Sequence, residues 1–232
     1  MTFLSRLFDL IMPPVCEVCG SRLSPMEYGL CAACNMRLPR TGFAQRPLDN
    51  KLAQLFWGRL DVERAAALMY YTPKSDTARL ILSLKYDYQP SLCAVLGRAM
   101  GTEFSAYGFF SGVDVIVPVP LARSRQRRRG YNQSEEIANG ISEATGIPVE
   151  VGAVRRTVFK ASQTHLDRWQ RMDNVDGLFV LADDGARLAG KHILIVDDII
   201  TTGATVIACA SAMDSLPGVR FSVVSLGFTS AG

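Results

Sequence analysis

The sequence has no long apolar run, little net charge and no internal repeat or low-complexity tract. No apolar stretch approaches the roughly 20 residues that cross a bilayer as a helix, so we expect no membrane insertion. The net charge is only +3 at pH 7, which by itself does not indicate a nucleic-acid partner. Hydrophobic residues make up 48% of the 232 residues. That length and content suit one α/β domain with a small appendage.

The first fifteen residues contain apolar side chains but do not have the pattern of an export signal. Arg6 and Asp9 interrupt the apolar residues, and no small-residue cleavage site follows. Val15 before Cys16 is also a poor match to a lipoprotein site. We therefore expect a short amphipathic helix packed on the body of a cytoplasmic protein.

Residues 191–206 combine a strand pattern, an acidic pair, a small-residue loop and a helix pattern. The apolar residues 193–196 predict a buried strand that stops at two carboxylates. A threonine-rich loop follows, and Val206, Ala210 and Met213 then recur at helical spacing. In an open parallel sheet, ligands bind beyond the carboxyl ends of the strands. The order of these features resembles the phosphoribosyl-pyrophosphate (PRPP) motif of type I phosphoribosyltransferases.

The chemistry of this stretch suits a ribose phosphate. Two carboxylates accept hydrogen bonds from the 2′- and 3′-hydroxyls of a ribose. A glycine turn brings backbone N–H groups close to a phosphate, and the following helix adds its positive end. The alternative is that the acids only cap the helix. The predicted ribose- and phosphate-binding residues are Asp197, Asp198, Thr201, Thr202, Gly203, Ala204 and Thr205.

A second acidic pair, Asp183 and Asp184, provides an internal comparison. It also follows an apolar run, but Gly185 comes next and leads into another apolar stretch. Asp-Gly between two apolar runs is typical of a hairpin turn. No threonine loop or helix pattern follows, so we predict a turn here and a ligand site at the other pair.

A proline loop and an arginine cluster follow the predicted strand at residues 114–117. Two prolines at the carboxyl end of a buried strand fix the backbone at a ligand-binding edge; the loop is Pro118, Val119, Pro120 and Leu121. A solvated charge run is the usual explanation of an arginine cluster. Here the cluster shares an edge with the acidic pair, which favours contact with a phosphate-rich ligand or DNA. Its members are Arg123, Arg125, Arg127, Arg128 and Arg129.

The remaining patterns complete an α/β domain with a parallel sheet flanked by helices. Asn132 is expected to cap a helix to about residue 144, with Glu135 at its third position. The polar, basic residues 155–174 suggest a mobile lid. His165 within it is more simply a surface residue than a general base. Residues 39–47 suggest a linker or return loop. Further strands are expected at 65–71, 149–154, 177–181 and 219–226, and helices at 76–88 and 91–104.

Four of the six cysteines form two Cys-x-x-Cys pairs. In a chain without an export signal, this spacing indicates a metal site rather than disulfides. Four thiolates make a closed, structural zinc site. The predicted ligands are Cys16, Cys19, Cys31 and Cys34, while Cys93 and Cys209 are expected in the core.

Over nearly its whole length the chain resembles the ComF family, competence-associated bacterial proteins with a zinc module and a phosphoribosyltransferase-like domain. At the position of Tyr131, members of this family often have phenylalanine. The matching features are the four-cysteine module after a short apolar helix, Leu84-Lys85-Tyr86, Pro118-Val119-Pro120-Leu121, Arg129-Gly130-Tyr131-Asn132-Gln133, Ser162-Gln163, Leu166, Arg171, Asn174, Val196-Asp197-Asp198 and Thr201-Thr202-Gly203-Ala204-Thr205.

The resemblance implies a type I phosphoribosyltransferase fold over residues 47–232, after an N-terminal helix and zinc module over residues 1–46. It implies that the proline loop binds pyrophosphate, that Lys160 and Gln163 lie in a flexible loop that closes over PRPP, and that Mg²⁺ accompanies PRPP. It also implies a link to single-stranded DNA uptake and a DNA helicase partner. Fold does not establish catalysis. A PRPP-using transferase and a DNA-binding protein that senses PRPP both remain open, and no catalytic residue is assigned.

Overall fold

The computed structural model describes residues 14–157 and 177–229. Its main sheet has four parallel strands in the order β1-β6-β5-β2, and a separate antiparallel pair joins β3 to β4. The predicted α/β class with a parallel sheet is confirmed. The strands are β1 (Arg64–Tyr70), β2 (Val115–Pro118), β3 (Val154–Arg156), β4 (Phe179–Leu181), β5 (His192–Ile200) and β6 (Arg220–Phe228).

The part of the chain that the structure describes contains six α-helices. They are α1 (Ala32–Arg37), α2 (Asp76–Tyr86), α3 (Pro90–Ser105), α4 (Arg123–Arg129), α5 (Gln133–Thr145) and α6 (Ala204–Ser211). Short 3-10 helices span Phe43–Gln45, Ala53–Leu55 and Gly185–Leu188. Among the helices of residues 14–157 and 177–229, none has both the length and the apolar character needed to cross a bilayer.

Helices α3 and α5 pack against each other at backbone distance. A Cβ atom on Gly97 would lie 2.2 Å from the carbonyl oxygen of Ile137, and one on Gly140 would lie 2.1 Å from that of Ala94. Neither position has room for a side chain, so the glycines permit the close approach. Helix α5 also packs on β2 and β5. This packing fixes the N-terminal end of α5 beside the carboxyl ends of those strands.

The register of β2 and β5 brings two of the predicted site segments together. Pro118 lies opposite Val196, and the Val119 N–H donates to the Val196 carbonyl oxygen at 2.9 Å. The proline loop and the acidic pair therefore leave the sheet at the same edge, as expected for neighbouring parallel strands.

Strand β5 does not stop at the acidic pair, which corrects the expected strand end. It continues through Asp197 and Asp198 to Ile200 because β6 continues beside it, with Asp197 opposite Ser225 and Ile200 opposite Phe228. Hydrogen bonding to a parallel neighbour outweighs the low strand propensity of aspartate.

Two further expectations are corrected. Residues 149–154 do not form the expected strand. Val149 makes only an isolated parallel bridge to Ile116 of the main sheet, and strand β3 begins at Val154. Asp183 and Asp184 do lie in a turn, but not in a hairpin: β4 pairs with β3, and residues 185–188 form a 3-10 helix. Buried Leu188 anchors that helix in the core.

Residues 39–47 form a return segment along β1 rather than a free linker. Backbone N–H groups of Tyr70 and Ala65 donate to the carbonyl oxygens of Pro39 and Pro47 at 2.8 and 2.9 Å. The Phe43 ring packs edge-on against Tyr70 and Phe228. The division of the chain at residue 46 stays a prediction, and the expected N-terminal helix lies outside the described residues.

Candidate functional site

A cavity of about 330 Å³ opens at the carboxyl edge of the sheet, between β2 and β5. Its walls are the proline loop, the start of α5, the acidic pair, and Lys85, Arg125, Arg129 and Arg156. A larger concavity of about 590 Å³ lies between residues 53–62 and the end of α6, but neither Asp197 nor Asp198 lines it. The smaller cavity is therefore the one that matches the predicted chemistry.

The two carboxylates are held by different partners. Asp197 Oδ1 accepts hydrogen bonds from the Asp198 N–H at 2.8 Å and from the Ser134 hydroxyl at 3.2 Å. Asp198 Oδ1 accepts from the Ile199 N–H at 2.7 Å, and Asp198 Oδ2 lies 2.9 Å from Lys85 Nζ. Within the described residues, Asp197 Oδ2 has no protein donor. The pair is ordered before any ligand binds, with one carboxylate oxygen free.

Burial, and to a lesser extent the neighbouring Asp198 carboxylate, raise the pKa of Asp197 to about 7. Hydrogen bonds from the Asp198 N–H and Ser134, and the charge of Lys85, act in the opposite direction. Two carboxylates this close do not both ionise easily. A ligand that donates hydroxyls, or brings a cation, would favour the doubly ionised pair.

The threonine loop joins the acidic pair to helix α6. Gly203 has φ +75°, and a Cβ atom there would lie 3.0 Å from the Phe56 ring, so both the backbone angle and the space favour glycine. Arg59 donates to the Thr202 carbonyl oxygen at 3.0 Å from outside the loop. Thr201 and Thr202 are exposed. A helix follows the loop, as predicted, and it spans Ala204–Ser211, so that Met213 lies beyond its end.

Residues 129–134 contribute to the cavity wall and also form hydrogen bonds to the elements around it. The Asn132 amide donates to the Val119 carbonyl oxygen at 3.1 Å and its side-chain oxygen caps α5. The Tyr131 hydroxyl and the Gln133 amide both donate to the Leu84 carbonyl oxygen. The segment therefore connects the proline loop, the acidic pair and the end of α2. Tyr131 is buried and is not free to stack on a base.

The five clustered arginines form helix α4 and differ in what they face. Arg125 and Arg129 line the acidic cavity, whereas Arg123 and Arg127 line a neighbouring one of about 380 Å³. The guanidinium groups of Arg128 and Arg129 lie 6.0 and 5.8 Å from the centre of the Tyr86 ring. Among residues 14–157 and 177–229, no carboxylate forms a salt bridge with any of the five.

Sequence patterns did not single out Ser134 or Arg156, and they included Lys85 only as part of a matching motif. Lys85 and Ser134 contact the acids directly, and Arg156 lines both the acidic cavity and the neighbouring cavity of about 380 Å³. Each lies on a different element, so only the folded arrangement brings them together. Lys160, Gln163 and His165 lie outside the described residues.

The four cysteines of the two Cys-x-x-Cys pairs converge. Their sulfur atoms all lie within 4.8 Å of one another, and Cys19 Sγ lies 3.8 Å from Cys31 Sγ. Backbone N–H groups of Cys31 and Cys34 point at the sulfurs of Cys16 and Cys31 at 3.4 Å. A disulfide needs about 2.05 Å. Tetrahedral coordination with bonds of about 2.3 Å places sulfurs about 3.8 Å apart. The cluster therefore fits one metal ion. Cys93 and Cys209 are buried, as expected.

Comparison with known proteins agrees with this geometry. Residues 90–221 match the family described as phosphoribosyl transferase domain. The chain belongs to that family. It is 29% identical over 214 residues to the DNA utilization protein YhgH of Escherichia coli K12, covering 88% of this chain and 92% of that protein. It is 36% identical over 92 residues to competence protein F of Haemophilus influenzae, covering 40% of each. These relatives confirm membership of the ComF family.

Solved structures with partial similarity to the chain include two enzymes. A glutamine PRPP amidotransferase from B. subtilis, complexed with ADP and GMP, matches with a TM-score of 0.40 and 20% identity, over 62% of this chain and 30% of that one. A hypoxanthine phosphoribosyltransferase from Staphylococcus aureus matches with a TM-score of 0.34 and 15% identity, over 57% and 62%.

Proposed function

We propose that this phosphoribosyltransferase-like protein binds PRPP at the carboxyl edge of its sheet. The observation that carries the proposal is the ordered acidic pair, Asp197 and Asp198, beside a threonine loop that opens an α-helix. The pair would accept the ribose hydroxyls. Backbone N–H groups and hydroxyls of residues 201–205 would hold the 5′-phosphate.

The pyrophosphate group would lie against the proline loop. Arg125, Arg129 and Arg156 line the same cavity and would balance its negative charge. In a transfer reaction, these cations would stabilise the charge that develops on the departing pyrophosphate. In a PRPP sensor, they would supply affinity. Lys160 and Gln163 would close over the ligand.

Mg²⁺ would enter with PRPP. Hard cations prefer oxygen ligands, and Asp197 Oδ2, which has no donor among the described residues, would be available to hold the ion. The ion would neutralise the pyrophosphate while Asp197 and Asp198 keep the ribose oriented. We also propose that the metal in the cysteine cluster is zinc, held structurally, because four thiolates leave no open coordination position. A thiolate site of this kind suits a cytoplasmic location.

Calorimetry with PRPP and Mg²⁺ tests the binding proposal. Asp197→Asn combined with Asp198→Asn removes both charged acceptors, and each lost charged hydrogen bond costs about 1.5–3 kcal/mol. We expect binding by the natural protein and none by this double variant. The matched control is Asp183→Asn with Asp184→Asn at the exposed turn. Equal loss in the control would contradict the assignment of the ribose site.

Release of pyrophosphate separates the transferase from the sensor. The protein is incubated with PRPP and Mg²⁺ and a panel of bases and nucleotides, and pyrophosphate is measured. Turnover with one acceptor, lost in the Asp197 and Asp198 double variant, supports a phosphoribosyltransferase. Tight PRPP binding with no pyrophosphate release for any acceptor supports the sensor.

A second function, binding of single-stranded DNA, is favoured by the surface around α4. Its arginines have no carboxylate partner in the described residues, and Tyr86 and Tyr88 beside them are 62% and 66% exposed. Exposed aromatics beside a basic groove are the usual means of binding single strands. The names of two relatives, DNA utilization protein and competence protein F, point the same way. A DNA helicase is the protein partner that the ComF resemblance implies.

Fluorescence anisotropy with a labelled oligonucleotide at several salt concentrations tests this second function. Contact with about three phosphates predicts a log–log salt slope near −2, and Arg125→Ala with Arg127→Ala should flatten it by about one to two units. Arg187→Ala with Arg220→Ala, at side chains already paired with acids, is the control. An unchanged slope in the first variant would exclude the arginine surface. Displacement by PRPP would show that the two ligands share the cavity edge.

A further inference from the structure

A cavity of about 380 Å³ lies beside the acidic cavity and has no part in the proposed PRPP site. This arginine cavity is lined by Ala122, Arg123, Ser124, Arg127, Arg156 and Thr157. We propose that it binds a phosphate group of a ligand other than PRPP, and that Arg156, which lines both cavities, couples its occupancy to PRPP binding. The phosphate site stands on this cavity alone, whereas the coupling rests on the proposed function.

The arginine cavity carries positive charge on two of its walls. Arg123 and Arg127 are four residues apart on helix α4, so their side chains lie on one face of the helix. Arg156 lines the cavity from the end of strand β3. Within residues 14–157 and 177–229, no carboxylate lines the cavity or forms a salt bridge with any of these arginines. Like charges this close repel one another, and an anion in the cavity would relieve the repulsion.

Arg156 is held in place by the β3–β4 pair. Its guanidinium carbon lies 5.4 Å from the centre of the Phe179 ring, which is its partner residue on β4. The next residue, Thr157, donates from its hydroxyl to the Gly177 carbonyl oxygen at 2.7 Å and from its N–H to the Leu178 carbonyl oxygen at 2.9 Å. Guanidinium N–H groups lie in the plane of the group, so a ring against its face leaves them free to donate to a ligand.

The lining of the arginine cavity selects a phosphate rather than a base. Guanidinium groups match the spacing of phosphate oxygens and bind them in pairs, and Ser124 adds a hydroxyl. Among the described residues that line the cavity, none is aromatic, so a base would find no ring to stack on. A volume of about 380 Å³ exceeds the need of a bare phosphate ion and leaves room for an attached group. A free phosphate ester and the backbone of a nucleic-acid strand both offer this chemistry.

Arg156 is the residue that the linings of the two cavities have in common. A guanidinium group that donates to the pyrophosphate of PRPP has fewer N–H groups left for a second anion, and the two anions also repel each other. A phosphate in the arginine cavity should therefore weaken PRPP binding. By thermodynamic linkage, PRPP should weaken phosphate binding by the same factor.

Titration with inorganic phosphate, without PRPP and at constant ionic strength, tests the phosphate site. The readout is ¹⁵N NMR of the arginine Nε–H groups. In the natural protein the Arg123 signal should shift and saturate. Arg127→Gln removes one charged donor and should raise the midpoint at Arg123 by about tenfold or more. Arg187→Gln, outside both cavities, is the control and should leave the midpoint unchanged. An Arg123 shift that does not saturate, or an unchanged midpoint in folded Arg127→Gln, would overturn the inference.

Two competitors identify the source of the phosphate in the same titration. They are thymidine 5′-monophosphate and a thymidine oligonucleotide without terminal phosphates. Displacement of inorganic phosphate at Arg123 by the mononucleotide alone assigns the cavity to a free phosphate ester. Displacement by the oligonucleotide assigns it to a strand backbone. If neither competitor displaces the phosphate, the cavity does not take a phosphate-bearing ligand and the inference is overturned.

Calorimetry with PRPP and Mg²⁺, in the presence and absence of saturating phosphate, tests the coupling. Phosphate should weaken PRPP binding by the natural protein about fivefold or more, and clearly less in Arg127→Gln, which lacks part of the arginine cavity. An equal weakening in both proteins would mean that phosphate competes inside the acidic cavity, and no weakening in either would mean that the cavities are independent; both results overturn the coupling. If the natural protein does not bind PRPP, the proposed function fails, while the NMR titration still decides the phosphate site.

Discussion

The Ser134 hydroxyl donates to Asp197 Oδ1 at 3.2 Å and so ties the first turn of helix α5 to the end of strand β5. The two residues are 63 positions apart in the sequence. Helix α5 is fixed in turn by its glycine contact with α3. The position of Asp197, the proposed ribose acceptor, therefore depends on the packing of two helices on one side of the sheet.

Ser134→Ala should weaken PRPP binding without unfolding the protein. Loss of this donor leaves Asp197 with one hydrogen bond fewer to its ionised form, at a cost of about 1.5–3 kcal/mol, or roughly tenfold to a hundredfold in affinity. Calorimetry measures the change. Ser142→Ala, near the other end of the same helix, is the control and should bind normally. Similar affinities for both variants would exclude a role for the hydroxyl.

Cys16→Ser should release the metal and disorder the cysteine-bearing segment. Structural zinc contributes on the order of 10–16 kcal/mol of binding free energy that is coupled to folding. We expect about one zinc per natural chain by elemental analysis and much less in the variant, with the sheet still folded. Cys209→Ala, in the core beside the sheet, should retain the zinc. A natural protein purified without chelator that contains no zinc would rule out this site.

Gly203→Ala should strain the threonine loop. The left-handed backbone angle costs a non-glycine residue about 1–2 kcal/mol, and the new methyl group would also press on the Phe56 ring. Gly146→Ala has almost the same φ, +74°, with no atom within 4 Å of the new methyl group. Both variants should lose stability in urea, but only Gly203→Ala should also lose PRPP affinity. Equal effects on binding would place the loop outside the site.

The stability of the ligand-free protein should depend on pH through two groups with opposite signs. His192 is buried, 3.1 Å from the Gly112 carbonyl oxygen and 2.8 Å from the Ser222 hydroxyl, and burial lowers its pKa. Its contribution is present above the ordinary pKa near 6.5 and is lost as the pH falls below it. The pKa of Asp197 is raised to about 7, so its contribution is present below pH 4 and is lost as the pH rises to 7.

Asp197→Asn should therefore raise the Tm of the ligand-free protein at pH 8, by roughly 2–4 °C for each kcal/mol recovered. The variant should also lose stability more steeply on acidification, because only the His192 effect remains. Thermal unfolding from pH 5 to pH 8.5 measures both. His192→Gln should instead reduce the loss of Tm between pH 6.5 and pH 5. A variant that is less stable than the natural protein at pH 8 would contradict the raised pKa of Asp197.

Local patterns were sufficient to predict the strand, acidic pair, loop and helix around Gly203, because these features are continuous in the sequence. They were also sufficient for the cap at Asn132 and the convergence of the cysteines. The same patterns placed the end of β5 too early, because the length of β5 depends on pairing with β6, which lies further along the sequence. The hairpin expected at Asp183 failed for the same reason, since β4 pairs with β3.

Contacts between distant segments explain the residues that sequence reasoning missed. Lys85, Ser134 and Arg156 line the acidic cavity from the end of one helix, the first turn of another and a short strand. None carries a local pattern that indicates a ligand. The arginine cluster had such a pattern, but only the fold shows that Arg125 and Arg129 line the acidic cavity while Arg123 and Arg127 line its neighbour.

The cysteine-bearing segment accepts hydrogen bonds from two residues that flank Lys85, one near the start of helix α2 and one just beyond its end. Arg79, near the start of α2, donates to the Val18 carbonyl oxygen at 3.4 Å, and Gln89, just beyond its end, donates to Glu17 at 2.7 Å. Metal that orders this segment therefore also favours the orientation of α2 in which Lys85 reaches Asp198. Such thermodynamic coupling is reciprocal. A sugar phosphate bound at Asp198, which contacts Lys85 from 113 positions further along the chain, should therefore slow the extraction of metal by a chelator.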